Sequence, residues 1–220
     1  ALNELNQGAS DHDCRHIFGY NNLDHSLSKL QEITATVFLD YENYEKSLDS
    51  PSTDELLQKA SDFCNTHGPR FNLQRVISDA APRMALAAEF KRASPSKGDI
   101  ATNLSAGQQA VIYLKAGADI ISVLTEKRWF KGSLQDLTQV RLETASAVRP
   151  AVLRKDFIIS QYMIAEAAAA GADTVLLIVA VLPETLLRNL IDFSRSLDME
   201  PLVEVHADTE LDVALAAGAR

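Results

Sequence analysis

The sequence predicts an α/β fold in which a parallel sheet is covered by helices and closes into a barrel. Three observations predict it. From residue 84 onward, short apolar runs alternate with helical patterns, strand then helix, in five successive units. The strand runs are apolar on both faces, as in a sheet buried on both sides. The phrase Ala-Gly-Ala recurs at 116–118, 170–172 and 217–219, each time where a helical pattern ends, and its glycine suits a left-handed helix stop. Asp119 and Asp173 follow the first two copies and lead into strands, whereas Arg220 follows the third. A doubly wound open sheet would carry a glycine-rich turn after its first strand. Lys91-Arg92-Ala93-Ser94-Pro95-Ser96-Lys97-Gly98 stands there instead, which favours the barrel.

The chain divides near residue 80. Residues 1–80 read as a polar N-terminal extension with two helices, and residues 81–220 as the barrel domain. Asn, Asp, Ser and His crowd 3–28, which predicts an irregular stretch. Leu27, Leu30, Ile33 and Val37 recur at helical spacing, as do Leu56, Leu57, Ala60 and Phe63, and Thr53-Asp54-Glu55 suits the start of the second helix. In the barrel domain the apolar runs predict strands over 84–90, 119–124, 151–154, 174–179 and 202–205. Between and after them helices are predicted over 106–116, 134–147, 161–170, 183–197 and 209–217. Pro183 sits early in its helix, where proline is tolerated.

Composition narrows the function classes. The 220 residues carry a net charge of -9, 46% hydrophobic and 23% charged residues, within the range of a globular domain with a real core. An acidic chain is poorly suited to nucleic acid or an anionic membrane surface, so neither is expected as a partner. No apolar run reaches about 18 residues, so no membrane span is expected. No secretory leader is visible. Cys14 and Cys64 form neither a disulfide framework nor a metal-ligand pattern, which fits a reducing compartment. His12, Asp13, Cys14 and His16 cluster, but their spacing matches no zinc site.

Charged residues at strand ends carry the functional signal. In a barrel, the C-terminal ends of the strands build the active site. Glu89 and Lys91 lie two apart at the end of the first strand and so share a face. Lys155 ends the third strand with the parity of Leu153, and Glu204 interrupts the valines of the fifth. A carboxylate among valines is expensive to bury unless paired. If the sheet closes, two carboxylates and two ammonium groups converge on one mouth and form an acid–base set. Each has a plainer reading: a salt bridge sealing the barrel for Glu89 and Lys91, a solvent-facing loop side chain for Lys155. The Ser94–Ser96 segment either holds a phosphate through hydroxyls and amides or forms an ordinary turn. Trp129 and Phe130 either roof an apolar ligand or pack beneath their loop. His206 either orients a partner or is a loop residue.

Together these segments carry a resemblance. Ala88-Glu89-Phe90-Lys91-Arg92-Ala93-Ser94-Pro95-Ser96-Lys97-Gly98 resembles the first-strand signature of the indole-3-glycerol-phosphate synthases. Ser122-Val123-Leu124-Thr125-Glu126, with Phe130 and Gly132-Ser133, is similar to their second unit. Leu153-Arg154-Lys155-Asp156-Phe157-Ile158 and the segment from Gly171 to Ile178 match the third and fourth, and Pro201-Leu202-Val203-Glu204-Val205-His206 the fifth. The resemblance covers 84–220; the polar stretch before it is only weakly similar, through Pro69-Arg70-Phe71.

The resemblance implies a (β/α)8 TIM barrel and a carbon–carbon lyase of tryptophan biosynthesis. Such an enzyme converts 1-(2-carboxyphenylamino)-1-deoxyribulose 5-phosphate to indole-3-glycerol phosphate, with loss of carbon dioxide and water and without a cofactor or metal. It implies Lys155 as general acid, Glu204 as general base, Lys91 as partner of a substrate anion, and Glu89 as the group that holds the lysines in register. It implies Ser94, Ser96, Leu124, Phe130, Phe157 and Leu176 as pocket lining. The expected partner is an anionic phosphorylated small molecule. Fusion to, or association with, neighbouring pathway enzymes is expected, in the cytoplasm, or in a plastid if a presequence has been removed. The resemblance also implies three further strands past Arg220, so the chain is expected to be C-terminally truncated and, by itself, weakly active or inactive. Two alternatives remain: a non-catalytic barrel segment of a multifunctional polypeptide, and a barrel like phosphoribosylanthranilate isomerase.

Overall fold

The computed structural model describes residues 28–47, 49–146 and 148–220. The chain falls into two units, Ala1–Ser52 and Thr53–Arg220. In the first, helix α1 (Lys29–Glu45) opens on a capping box: the Ser28 hydroxyl accepts the Gln31 amide, and the Gln31 side chain accepts the Ser28 amide. Leu27, the first residue of the predicted periodicity, lies outside the described residues, as do His12, Asp13, Cys14 and His16.

The second unit is a partial barrel. Helices α2 (Thr53–His67) and α3 (Leu73–Asp79) precede strand β1 (Ala87–Phe90). A two-rung antiparallel hairpin follows, β2 (Ala93–Ser94) and β3 (Gly98–Asp99), and then the alternation begins. Its elements are α4 (Ala106–Lys115), β4 (Ile120–Leu124), α5 (Leu134–Glu143), β5 (Ala151–Lys155), α6 (Gln161–Ala169), β6 (Thr174–Ile178), α7 (Glu184–Ser196), β7 (Leu202–Glu204) and α8 (Asp208–Ala216). A single 3₁₀ turn, Val179–Val181, separates β6 from α7.

Five strands form one parallel sheet in the order β1-β4-β5-β6-β7, with β1 and β7 at its edges. The central strands β4 and β6 are buried at every position, because helices cover one face and the barrel interior the other. This is the five-unit α/β arrangement expected from the sequence.

Local sequence explains the repetition. Ser105, Ser133 and Ser160 each stand just before a helix and accept the amide three residues on, from Gln108, Asp136 and Met163. Gly117, Gly171 and Gly218 follow α4, α6 and α8 with φ of +89°, +92° and +96°, so the Ala-Gly-Ala phrase is the helix stop it was expected to be. At Gly171 an added Cβ would lie 2.5 Å from the Phe63 ring, and this close approach lets α2 pack on α6.

The aspartate after the phrase has a use that spacing alone does not reveal. Asp119 accepts the Leu86 amide and pairs with Arg83 through both oxygens, at 2.6 Å each. Asp173, fully buried, takes the amides of Phe71 and Val152 and pairs with Arg149. Both carboxylates staple the N-terminal ends of strands.

Several boundaries differ from expectation. The predicted strand over 84–90 is only four residues long, and Met84 is 91% exposed. Pairing with β4 begins at Ala87, and β1 is an edge strand, so apolar character there does not imply burial. Helix α5 stops at Glu143 rather than near 147, and at its end the Thr144 hydroxyl bonds back to the Val140 carbonyl. β7 ends at Glu204 rather than Val205. Helix α3, capped by the Asn72 side chain, and the β2–β3 hairpin were not anticipated, both being shorter than a periodicity can reveal.

Candidate active site

Strand register decides which charged groups can meet. Glu89 pairs with Ser122, and Ser122 with Leu153, so the three form one row across β1, β4 and β5. Two residues on, Leu124 pairs with Lys155. Side chains alternate along a strand, so Glu89, Leu124 and Lys155 share the interior face, near the C-terminal rim. The neighbours of Lys155 take the opposite face. Arg154 is 1% exposed and bonds the Met163 carbonyl, Glu166 and Asp156. Asp156 also accepts the Thr125 hydroxyl at 2.6 Å and the Phe157 amide at 2.9 Å.

Glu89 lies between two lysines. Its Oε1 is 2.7 Å from Lys91 Nζ and its Oε2 is 2.8 Å from Lys155 Nζ. All three side chains are about one-third exposed, at the open end of the sheet. Burial acts to raise the Glu89 carboxyl, but the hydrogen bonds and charges of Lys155 and Lys91 outweigh it, and the group sits below the usual carboxylate range. The Tyr113 hydroxyl of α4 donates to the Glu89 carbonyl at 3.0 Å and steadies the strand end. Tyr113 has no local signature in the sequence that would mark it.

Glu204 ends β7, at the opposite edge of the sheet, and lies 2.8 Å from His206 Nε2. Three of the four charged groups therefore meet directly, while Glu204 is held by a histidine that follows its strand. His206 is an exposed residue of the turn after β7, as a loop residue would be, and its ring also contacts Glu204.

Of the expected apolar lining, Phe130 and Phe157 meet, and the two leucines are buried in the sheet. Leu124 and Leu176 are buried interior residues of β4 and β6, and Phe157 follows β5, itself buried. The rings of Phe130 and Phe157 lie 6.1 Å apart and are tilted by 38°. Phe130 is half-buried, between β4 and α5. Ser94 Oγ accepts the Lys97 amide at 3.2 Å and so organises the hairpin turn, in which Gly98 takes a positive φ of +65°. Ser96 is exposed, with its hydroxyl 3.5 Å from that of Ser94. Arg92 is fixed away from the lysines: it grips Asp136 through Nε and Nη2 and donates to the carbonyls of Thr102 and Leu104.

The arrangement offers paired cations for an anion, a carboxylate that holds those cations in place, a second carboxylate with its own histidine, and an aromatic wall beside them. Such a set suits proton transfer on an anionic aromatic substrate.

Comparison with known proteins agrees with this geometry. The family profile of indole-3-glycerol phosphate synthase matches residues 41–220. A multifunctional tryptophan biosynthesis protein of Phanerodontia chrysosporium is 54% identical over 153 residues, 69% of this chain and 19% of that protein. One from Schizosaccharomyces pombe is 52% identical over 157 residues, 71% of the chain and 20% of that protein. The indole-3-glycerol phosphate synthase of Mycobacteroides abscessus is 54% identical over 138 residues, 63% of the chain and 49% of that enzyme. The chain thus spans about half the length of the single-function synthase and about a fifth of the multifunctional proteins.

Proposed function

The chain belongs to the indole-3-glycerol phosphate synthase family, and we propose that the protein carrying it closes the indole ring of 1-(2-carboxyphenylamino)-1-deoxyribulose 5-phosphate. The observation that carries this reading is the Lys91–Glu89–Lys155 triad at the strand ends. The substrate carries a carboxylate on its aromatic ring and a phosphate at the end of its sugar chain. It therefore needs fixed cations beside an apolar wall, and the triad next to Phe130, Phe157, Leu124 and Leu176 supplies both.

In the reaction, the ring carbon that bears the carboxylate attacks the ribulose carbonyl carbon. Lys155 gives a proton to the carbonyl oxygen as that bond forms, and carbon dioxide leaves with restoration of the aromatic ring. The hydroxyl then takes a second proton from Lys91 and departs as water, while Glu204, oriented by His206, takes the proton released from the adjacent carbon. Lys91 faces a substrate anion, and Glu89 holds both ammonium groups where they are needed. We assign Ser94 and Ser96, in the hairpin that follows β1, to the lining of the same pocket. Correct placement of an acid and a base of this kind contributes about 10²–10⁴-fold each.

The test is a fluorescence assay for indole-3-glycerol phosphate with Lys155→Ala beside the unaltered protein. A fall of roughly a hundredfold or more in kcat is expected; equal turnover overturns the assignment. The likeness to multifunctional proteins favours fusion to other tryptophan-pathway activities, and it also leaves a second reading, that the segment is structural. Assayed in the full-length protein that carries this chain, product formed and then lost with Lys155→Ala decides for catalysis, and absence of product from both decides for structure.

A further inference from the structure

We propose that Glu126 is a positioning residue whose carboxylate gathers the loop after β4 and seats Phe130 against Phe157. What the seated ring binds rests on the ring-closure reading above; that the carboxylate seats it does not.

Glu126 is only 6% exposed. It stands two residues beyond Leu124, the last residue of β4, where the chain leaves the sheet. A carboxylate in such a place is costly unless its oxygens are satisfied. Here Oε1 accepts the Arg128 amide at 2.7 Å, and Oε2 accepts the amides of Trp129 at 2.7 Å and Phe130 at 3.0 Å. Three successive main-chain donors thus turn inward on one side chain, as they would around a bound anion.

The rest of the loop closes around this core. The Gly132 amide returns to the Glu126 carbonyl at 2.9 Å. A Cβ on Gly132 would lie 2.0 Å from the Leu124 carbonyl oxygen, so only glycine fits where the loop folds back. Lys131 takes a positive φ of 54° to make the turn. Phe130, the last of the three gathered amides, lends its carbonyl to the Ala93 amide of the hairpin and sets its ring 6.1 Å from Phe157. Phe157 is fixed in turn by Asp156, which takes its amide and the hydroxyl of Thr125, the residue just before Glu126. Each aromatic ring of the wall therefore hangs from a buried carboxylate, and the two carboxylates are joined through adjacent residues. Burial raises the Glu126 carboxyl above its ordinary range against the pull of the three amides, and the Asp156 charge adds to the rise.

None of this requires Glu126 to touch substrate or to move a proton. Its effect should fall on binding, through the ring that its loop presents. Trp129, the sole tryptophan of the sequence, lies within the gathered segment and reports on it directly.

The experiment compares the unaltered protein with Glu126→Gln, which replaces one acceptor oxygen by an NH₂ that repels the amides, and with Glu126→Asp, which keeps the charge one methylene short. Acrylamide quenching of Trp129 is measured without substrate, and KM and kcat for ring closure with it. In Glu126→Gln, Trp129 should become more accessible to quencher, and KM should rise roughly tenfold, the equivalent of losing one buried acceptor, with a lesser change in kcat. Glu126→Asp should lie between the two in both measurements. Unchanged quenching in both variants overturns the proposal, as does a loss confined to kcat, which would make the carboxylate a proton carrier. If Glu126→Gln does not fold, Glu126→Asp carries the same comparison. The quenching arm needs no turnover, so a failure of the ring-closure reading leaves it intact and separately legible.

Discussion

Glu89 and Lys155 stand 66 positions apart in sequence and 2.8 Å apart in space, reaching each other across the intervening strand β4. The contact exists because β4 pairs with both neighbours in a register that brings Leu124 beside Lys155 and Ser122 beside Glu89. Its consequence is that one carboxylate sets the position of two ammonium groups.

Glu89→Gln tests that arrangement. The amide removes the negative charge and leaves Lys91 and Lys155 facing each other without their common partner. Both should drift from their places, and a displacement of about 1 Å at a reacting group is worth about a hundredfold in rate. Steady-state kinetics of ring closure should show kcat/KM falling by about that factor, with a folded protein by circular dichroism. A loss smaller than threefold would mean that the lysines hold their places without Glu89.

The Arg83–Asp119 pair predicts an acid-side loss of stability. The Arg83 guanidinium holds the Asp119 carboxyl down to about 2, burial opposing and the Leu86 amide assisting. A carboxyl depressed in the folded state stabilises above its unfolded value, near 3.9, and loses that contribution as pH falls through the folded value. The gap in thermal midpoint between the unaltered protein and Asp119→Asn should be present at pH 6 and should close between about pH 4 and pH 2. The Arg83 side chain is 58% exposed, so solvent screens the pair and the gap should be modest and smaller in high salt. A gap that does not vary with pH would assign the effect to lost main-chain hydrogen bonding instead.

Asp173 gives the larger effect. It is fully buried, pairs with Arg149, and accepts the amides of Phe71 and Val152. Asp173→Ala leaves a buried guanidinium without its counter-charge, and breaking such a pair costs about 3–5 kcal/mol. Denaturant unfolding should show a loss of that order. The double replacement Arg149→Met with Asp173→Ala should recover part of it, since the stranded charge is then gone. A single variant that loses less than about 1 kcal/mol would show that water or another residue takes over the pairing.

Much of the molecule is legible in its sequence. The alternation after residue 84 specified strand and helix order, because a parallel strand buried on both faces must be apolar throughout. The Ala-Gly-Ala phrases marked helix ends, and parity placed Lys155 on the face of Leu153. Less legible were segments too short to show a period: the hairpin at 93–99, helix α3, and the shortened β1, whose apolar Met84 is exposed. The role of Glu126 as the centre of a loop is not legible, because nothing local in Thr125-Glu126-Lys127-Arg128 distinguishes a carboxylate that captures amides from one that faces water. His206 was similarly open, since two residues of separation permit a contact with Glu204 without requiring one.

By itself the sequence determined the class of fold, the order of its units, the helix caps and stops, and the placing of charged groups at strand ends, because each of these follows from residue type over a few neighbouring positions. Only the tertiary structure decided which of those groups touch. Glu89 takes both lysines, Glu204 takes His206, and Glu126 takes three amides of its own loop. The reason is that a contact between strands depends on register and on the path of the connecting loops, and both are set by packing across the whole sheet rather than by any local run of residues.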